Sequence, residues 1–577
     1  MNKKTGWIVY AAGVCAVAIV VGGLFSVARA AETLDEAGLI AVLQSNAGWQ
    51  VKHMACRALQ QVGTGNAVPA LAALLPDATL SHMARFALEP MPYPEAGKAL
   101  RDALAVAQGA PKMGVVISLG VRRDREAVPL LIPLLTDPDA DMVRATAGAL
   151  GRIASPEAAQ ALRAFRATAP DAVKPALADG LLAAAERLAE AGQASMASTM
   201  CQELMAPEES LNVRMGAFRG LAYAEPEQAP ARLVAALGGD DPLFRDMAAQ
   251  IVAETTGAAA TQQYARALNG LPAEGQVALL RGLANRKDAE ARNAVAQAAQ
   301  SPDMQIKLAA IQALGTLGAI EDIPVLVGML ASDNADLAAA AMASLTVLPG
   351  DAVSPMAAAM VPEVVPPVRA QLLELLIARR AEQALPLSVE CLADTDAAVR
   401  LASLRVLGLT GGTEQVPATV AALAKAADAA EIAAAEKSLS SICGRGGADS
   451  LPAVLDAMNG AALEQRLALM RVAARVGGPV ALERVLASMA DTDTAVSSEA
   501  VRVLSDWPTL DAAPHLLELA KSADLNRQVL GLRGYVRLAR IEPSPEAKAG
   551  MLTTAMGLAA RPDEKKLVVA AWGTLPS

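Results

Sequence analysis

From about Leu34 to about Leu575 the chain repeats one pattern of apolar and polar positions. Val143, Ala147, Leu150 and Ile153 place apolar side chains at i, i+4, i+7 and i+10, the spacing of one helical face. An apolar residue followed by a basic one opens many such runs, at Val51-Lys52, Val143-Arg144, Val213-Arg214, Phe244-Arg245, Ile306-Lys307, Val368-Arg369 and Val399-Arg400. Arg214 and Arg245 are 31 residues apart, as are Arg369 and Arg400. A second column keeps the same phase: Pro69, Pro324, Pro355, Pro386 and Pro417 each follow it by 17 residues. The chain is therefore a repeat array, and each unit reads as two helices. Proline falls in the opening turn of the first, where its missing N–H costs little. An aspartate-rich turn such as Asp137 to Asp141 then ends that helix and caps the next, which closes on or near glycine.

These marks resemble the HEAT repeats, in the short bacterial form related to phycobilisome-lyase repeats. Pro129, Asp137 and Val143-Arg144 fit the family pattern, as do Pro386, Asp394 and Val399-Arg400, while Pro69 and Asp77 keep only the first two marks. The resemblance implies an all-α fold, an α-solenoid of about 17 helix pairs over residues 31–577. Wider spacing near residues 171–210, where the second helix is expected to be long, points to a local break in curvature. The resemblance also implies that the Val-Arg column, Arg144, Arg214, Arg245, Arg369 and Arg400, pairs with aspartates of adjacent turns.

Composition agrees with small-residue helix packing, since 53% of residues are apolar but only 2% aromatic. The N-terminus carries an address. Lys3 and Lys4 precede an apolar run from Trp7 to Val27, and Ala28-Arg29-Ala30 supplies a small-residue cleavage motif. Residues 1–30 are expected to be a cleaved signal peptide; the run is also long enough to serve as an uncleaved membrane anchor. Either reading exports the rest of the chain, to the periplasm or beyond. Without residues 1–30 the chain holds 47 basic and 60 acidic residues, a net charge of −13. That excess and the scarcity of aromatics exclude dedicated nucleic-acid binding, which needs phosphate neutralisation and base stacking.

Catalytic chemistry finds little to work with. Three histidines leave no room for the His-Glu pairs of iron-dependent HEAT hydroxylases. No phosphate-binding glycine loop and no haem-attachment motif occurs, so no cofactor is expected. Asp137, Asp139 and Asp141 mimic the start of a calcium loop, but Met142 stands where glycine is needed and Gly148 where glutamate is needed, so a helix cap is the expectation. His53 and Cys56 share a helix face, and His82 occupies the same repeat position one unit on, which makes these three the one candidate set of metal ligands. Cys56, Cys201, Cys391 and Cys443 are expected to be buried free thiols, Cys391 and Cys443 being the only pair close enough in the array to bridge.

What remains is surface. Counting the apolar column as zero, positions +2, +5, +6 and +9 of the second helix should face outward. Column +6 holds Arg57, Arg219, Arg405, Arg471 and Arg502, a basic stripe suited to an acidic protein partner, although Gln250, Gln312 and Glu374 interrupt it. The final helix is apolar and carries Trp572, a second candidate contact through which the C-terminal end would associate. The expected function is a non-enzymatic exported scaffold that binds another protein. The alternatives are an accessory subunit or module of a larger exported haem or carbohydrate-active enzyme and, further off, a chromophore lyase.

Overall fold

The computed structural model describes residues 35–573, all α-helical and 3-10 helical with intervening turns and no strand among them. The apolar run and cleavage motif of residues 1–30 lie outside the described residues. Helices alternate between two sets, here A and B, giving seventeen A–B pairs among the described residues. The B helices are α1 (Trp49–Val62), α2 (Ser81–Leu88), α3 (Gly109–Arg122), α4 (Ala140–Ile153), α5 (Lys174–Glu190), α6 (Leu211–Ala224), α7 (Pro242–Glu254) and α8 (Ala273–Arg286). They continue as α9 (Met304–Leu317), α10 (Ala335–Val347), α11 (Pro366–Ala378), α12 (Ala397–Thr410), α13 (Ala429–Gly446), α14 (Leu463–Val476), α15 (Thr494–Ser505), α16 (Leu525–Ile541) and α17 (Pro562–Trp572). The chain divides into two compact units, Met1–Gly282 and Leu283–Ser577. Residues 171–210 fall inside the first unit, where α5 spans 17 residues.

Within each unit a B helix packs on its own A helix and on the B helices before and after it, as α3, α4 and α5 do in the first unit and α11, α12 and α13 in the second. The result is a stack in which each pair buries what its neighbours would otherwise leave wet. Local chemistry sets the register. Asp137 accepts a hydrogen bond from the Asp139 amide and Asp139 from the Asp141 amide, both at 2.9 Å, so the acidic run caps α4. Asp394 and Asp396 repeat this turn before α12, and Asp491 and Asp493 before α15. Prolines stand in the first turn of A helices such as Val68–Ala72, Ile323–Met329 and Val416–Lys425. Where a second proline follows, at Pro133, the α-helix Val128–Leu131 gives way to the 3-10 turn Ile132–Thr136.

Glycine near the end of a B helix lets the next one approach closely. A Cβ on Gly151 would lie 2.5 Å from the Gly180 carbonyl oxygen of α5, and one on Gly408 would lie 3.3 Å from Ser438 Cα of α13. Gly120 and Gly315 meet Ala149 and Ser344 in the same way.

This stacking corrects the outward columns expected of the B helices. Position +5 is buried, as at Cys56, Phe218, Ile311, Leu404, Met470 and Val501, and +9 is buried at Ala222, Gly315, Ala474 and Ser505. Those positions face the flanking B helix, a neighbour that single-helix periodicity does not register. Column +6 stays open, with Gln250, Gln312, Glu374, Arg405 and Arg502 exposed.

Candidate functional site

The open +6 column brings the expected arginines onto the B-helix face, where Arg219, Arg405 and Arg471 meet an acid of a neighbouring B helix and Arg502 one of its own. Arg405 of α12 pairs with Glu374 at the same position of α11. Arg471 of α14 lies between Glu436 of α13, at 2.8 Å, and Glu499 of α15, at 3.1 Å. Arg502 closes on Glu499 within α15, through its Nε at 2.7 Å. In the first unit Arg219 meets Glu254 of α7 at 2.9 Å and stacks its guanidinium over the Tyr223 ring. Arg57 is exposed and enters no ion pair among the described residues. The column is thus a ladder of ion pairs rather than a bare basic stripe. Hydrogen bonds donated to Glu436, then to Glu499, raise the Arg471 pKa above the ordinary arginine value against the pull of burial. Burial would push Glu499 up, but hydrogen bonds from Arg502 and Arg471 hold it below the usual carboxylate range.

Trp572 is half-buried and packs against the apolar cluster of the second unit, so its ring helps close the last pair. The histidines do come together: the His53 and His82 rings meet edge to face at 5.7 Å between centroids, with Trp49 beside His53 at 6.5 Å. Burial first, then the His82 and Arg57 charges, lowers the His53 pKa. Cys56 is fully buried in the core and its thiol is pushed up to about 12, so it does not join them. No group of three His, Cys, Asp or Glu among the described residues is placed to hold a metal ion. Cys201, Cys391 and Cys443 are free as well, Cys391 being half-buried.

The Val-Arg column departs from a uniform aspartate ladder. Arg369 reaches Asp394 of the next turn as the resemblance implies, but Arg400 donates to the Asp394 and Thr395 carbonyls and pairs with Glu431. Arg144 holds Asp141 of its own helix, Arg245 donates to the Gly239 carbonyl, and Arg214 lies 5.2 Å over the Phe244 ring. Short turns such as Gly238-Gly239 offer a carbonyl where the family pattern has a carboxylate.

One recurrent role escapes single-repeat reading. Arg379 donates to the carbonyls of Leu345, Thr346 and Leu348 at 2.8 to 3.0 Å, closing the C-terminus of α10 from the end of α11. Arg122 does this for α2, Arg445 for α12 and Arg537 for α15. Arg122, Arg379 and Arg445 lie in or just after the last turn of their own helices, the place where a cation ordinarily serves its own carbonyls, and Arg537 lies just before the last turn of α16.

Three adjoining hollows cross α12 to α15 on the B face. The first, about 300 Å³, lies between α12 and α13 and is lined by Leu401, Leu404, Leu409 and Ala434, with Arg405 and Lys437 at its rim. The second shares Lys437 and Ser441 with the first and adds Glu436, Ser440 and Arg475. The third runs on past Arg471 and Arg475 to Arg502 and Asp506. Lys437 and Arg475 make no ion pair among the described residues, so the unpaired cations of the groove stand in its middle. The groove fits an extended chain better than a compact small molecule, because its enclosed part is small and it continues as an open track.

The sequence profile of HEAT repeats matches residues 111–181 and 264–346. No curated protein matches the sequence. Among solved structures, importin β from an ammonium sulfate condition is similar at 13% identity and a TM-score of 0.36, over 100% of this chain and 87% of that one. Kap121p bound to RanGTP is similar at 13% identity and a TM-score of 0.37, over 93% of this chain and 71% of that one. Human deoxyhypusine hydroxylase is similar at 19% identity and a TM-score of 0.22, over 45% of this chain and 97% of that one.

Proposed function

Because the chain is an α-solenoid of HEAT repeats, we propose that it is a non-enzymatic scaffold, exported from the cytoplasm, that binds another protein on the B-helix face of its second unit. The groove across α12 to α15 carries this reading. It is long enough to engage several side chains of a partner, and its unpaired charge is on balance positive, Lys437 and Arg475 against Asp506, on a chain whose net charge is −10. The export element of the proposal rests on residues 1–30 alone. An accessory role beside an exported enzyme is the same binding activity with an enzyme as the partner.

Photo-crosslinking from two positions tests this. Benzoylphenylalanine replacing Ser441 in the groove should capture a discrete protein in the native host. The same group replacing Asp456, on the A helix Leu451–Ala457, should not. Equal capture from both positions, or none from Ser441, counts against the proposal.

A further inference from the structure

We infer that the hollow between α12 and α13 receives an apolar side chain of a partner segment and that Lys437 and Arg475 receive an acidic group one or two residues along it. The inference rests on the proposed B-face binding and names the chemistry of what binds. Ser438 is 2% exposed and lines the hollow, and its hydroxyl has no hydrogen-bond partner. The corresponding serine of α10 behaves differently: Ser344, which faces Gly315 as Ser438 faces Gly408, donates to the Ile311 carbonyl of α9 at 2.8 Å. The matching acceptor for Ser438, the Leu404 carbonyl four residues before Gly408, is not taken. Buried hydroxyls are ordinarily satisfied, so Ser438 leaves an unmatched polar atom in the wall of the hollow, where α13 packs on α12 without the bond that Ser344 makes.

The rest of the wall is apolar. Leu401, Leu404 and Ala434 line it, and Leu409 is 62% exposed at its edge, a large apolar side chain left in water beside an apolar hollow. A leucine- or phenylalanine-sized side chain would cover both. Charge then selects the neighbouring residue. Arg405, Arg471 and Arg502 are neutralised within the ladder, so the cations left for a ligand are Lys437 and Arg475, set among the hydroxyls of Ser440 and Ser441. A carboxylate seated there gains charge-assisted hydrogen bonds, whereas a basic residue is repelled.

Panning a displayed random peptide library on the immobilised full-length chain tests the inference. Enriched peptides should pair a leucine or phenylalanine with an aspartate or glutamate within two residues. Fluorescence anisotropy on the best of them should show at least a tenfold loss of affinity in Lys437→Glu/Arg475→Glu, in Leu409→Asp and in Ala434→Trp, which fills the hollow. Leu409 is exposed, so its replacement keeps the test valid should Ala434→Trp misfold. Peptides that lack the apolar–acidic pair, or whose affinity stays within twofold in all three variants, overturn the inference while leaving protein binding by the B face intact. Absence of any enrichment also overturns it, and the crosslink from Ser441 then decides the broader reading separately.

Discussion

Arg471 and Glu436 join α14 to α13 through two parallel hydrogen bonds, Nε to Oε1 at 2.9 Å and Nη2 to Oε2 at 2.8 Å. The fork-to-fork geometry is the strong form of the pair, and Glu499 holds the remaining edge of the guanidinium. The B face is therefore stitched from repeat to repeat by charges that also form its surface. Both side chains of the Arg471–Glu436 pair keep over a fifth of their surface in water, so their coupling is expected near 1 kcal/mol, above an exposed pair and well below a buried one. A double-mutant cycle of Arg471→Ala and Glu436→Ala, read by urea unfolding, should give that value. A coupling of zero would mean that the ladder is ornamental and that its arginines are free to meet a partner.

Arg379 makes a different prediction, because it serves the helix before its own. Arg379→Met keeps much of the apolar stem while removing the donors to Leu345, Thr346 and Leu348. About 1–2 kcal/mol of local stability should go with them, since the carbonyls are left at a partly buried helix end. Hydrogen exchange should quicken at Val347 and Leu348, at the end of α10, with α12 unaffected. Faster exchange confined to α11 would show that Arg379 acts on its own helix instead.

Acid should act through the turns. Asp394, which burial alone would raise, is held below the ordinary carboxylate range by hydrogen bonds from the Asp396 amide and Arg369. Asp491 is held low in the same way by the Asp493 amide and Arg466. A carboxylate whose folded pKa is depressed contributes stability that is fully present above its unfolded pKa, about 4, and is lost as pH falls through the folded value. Thermal unfolding followed by circular dichroism should thus change little from pH 7 to about 5 and fall steeply below about 4. His53 has the opposite chemistry but the same direction: its neutral form is favoured in the fold, so protonation below about 6.5 weakens the α1–α2 contact. His53→Gln should remove that small shallow phase and leave the acid limb in place.

Why so much of the architecture was readable, and the site was not, follows from what a repeat period encodes. The 31-residue spacing, the Asp-rich caps and the proline column are properties of one unit, and they place the seventeen pairs and the N-caps of α4, α12 and α15. The +6 arginines were also found by position. Their partners were not, because Glu374, Glu436 and Glu254 belong to neighbouring units at offsets of 31 to 35 residues, which vary as helix length varies. Burial of the +5 column has the same origin. Ser438 and Leu409 carry no sequence signal at all: a serine in a B helix reads like Ser344, and only the place of α13 against α12 leaves its hydroxyl unmatched.

The cysteines offer a report on each unit by itself. Burial pushes Cys56 to about 12 and Cys201 to about 11, and it raises Cys391 and Cys443 as well. At pH 8 a thiol with pKa 12 is ionised to about one part in 10⁴, so alkylation of native Cys56 should be negligible over hours. Cys391, half-buried at the end of the A helix Ala384–Cys391, should react first, and Cys443 should stay protected until its unit opens. Iodoacetamide labelling along a urea series, with peptides assigned by mass spectrometry, then follows Cys56 and Cys201 as reporters of the first unit and Cys443 of the second. Because each helix pair is stabilised mainly by its neighbours, labelling of Cys56 and Cys201 at separate urea concentrations would show that the first unit melts pair by pair, whereas coincident labelling would show that it melts as one body. Prompt labelling of Cys56 in the native protein would contradict the burial on which the expected order depends.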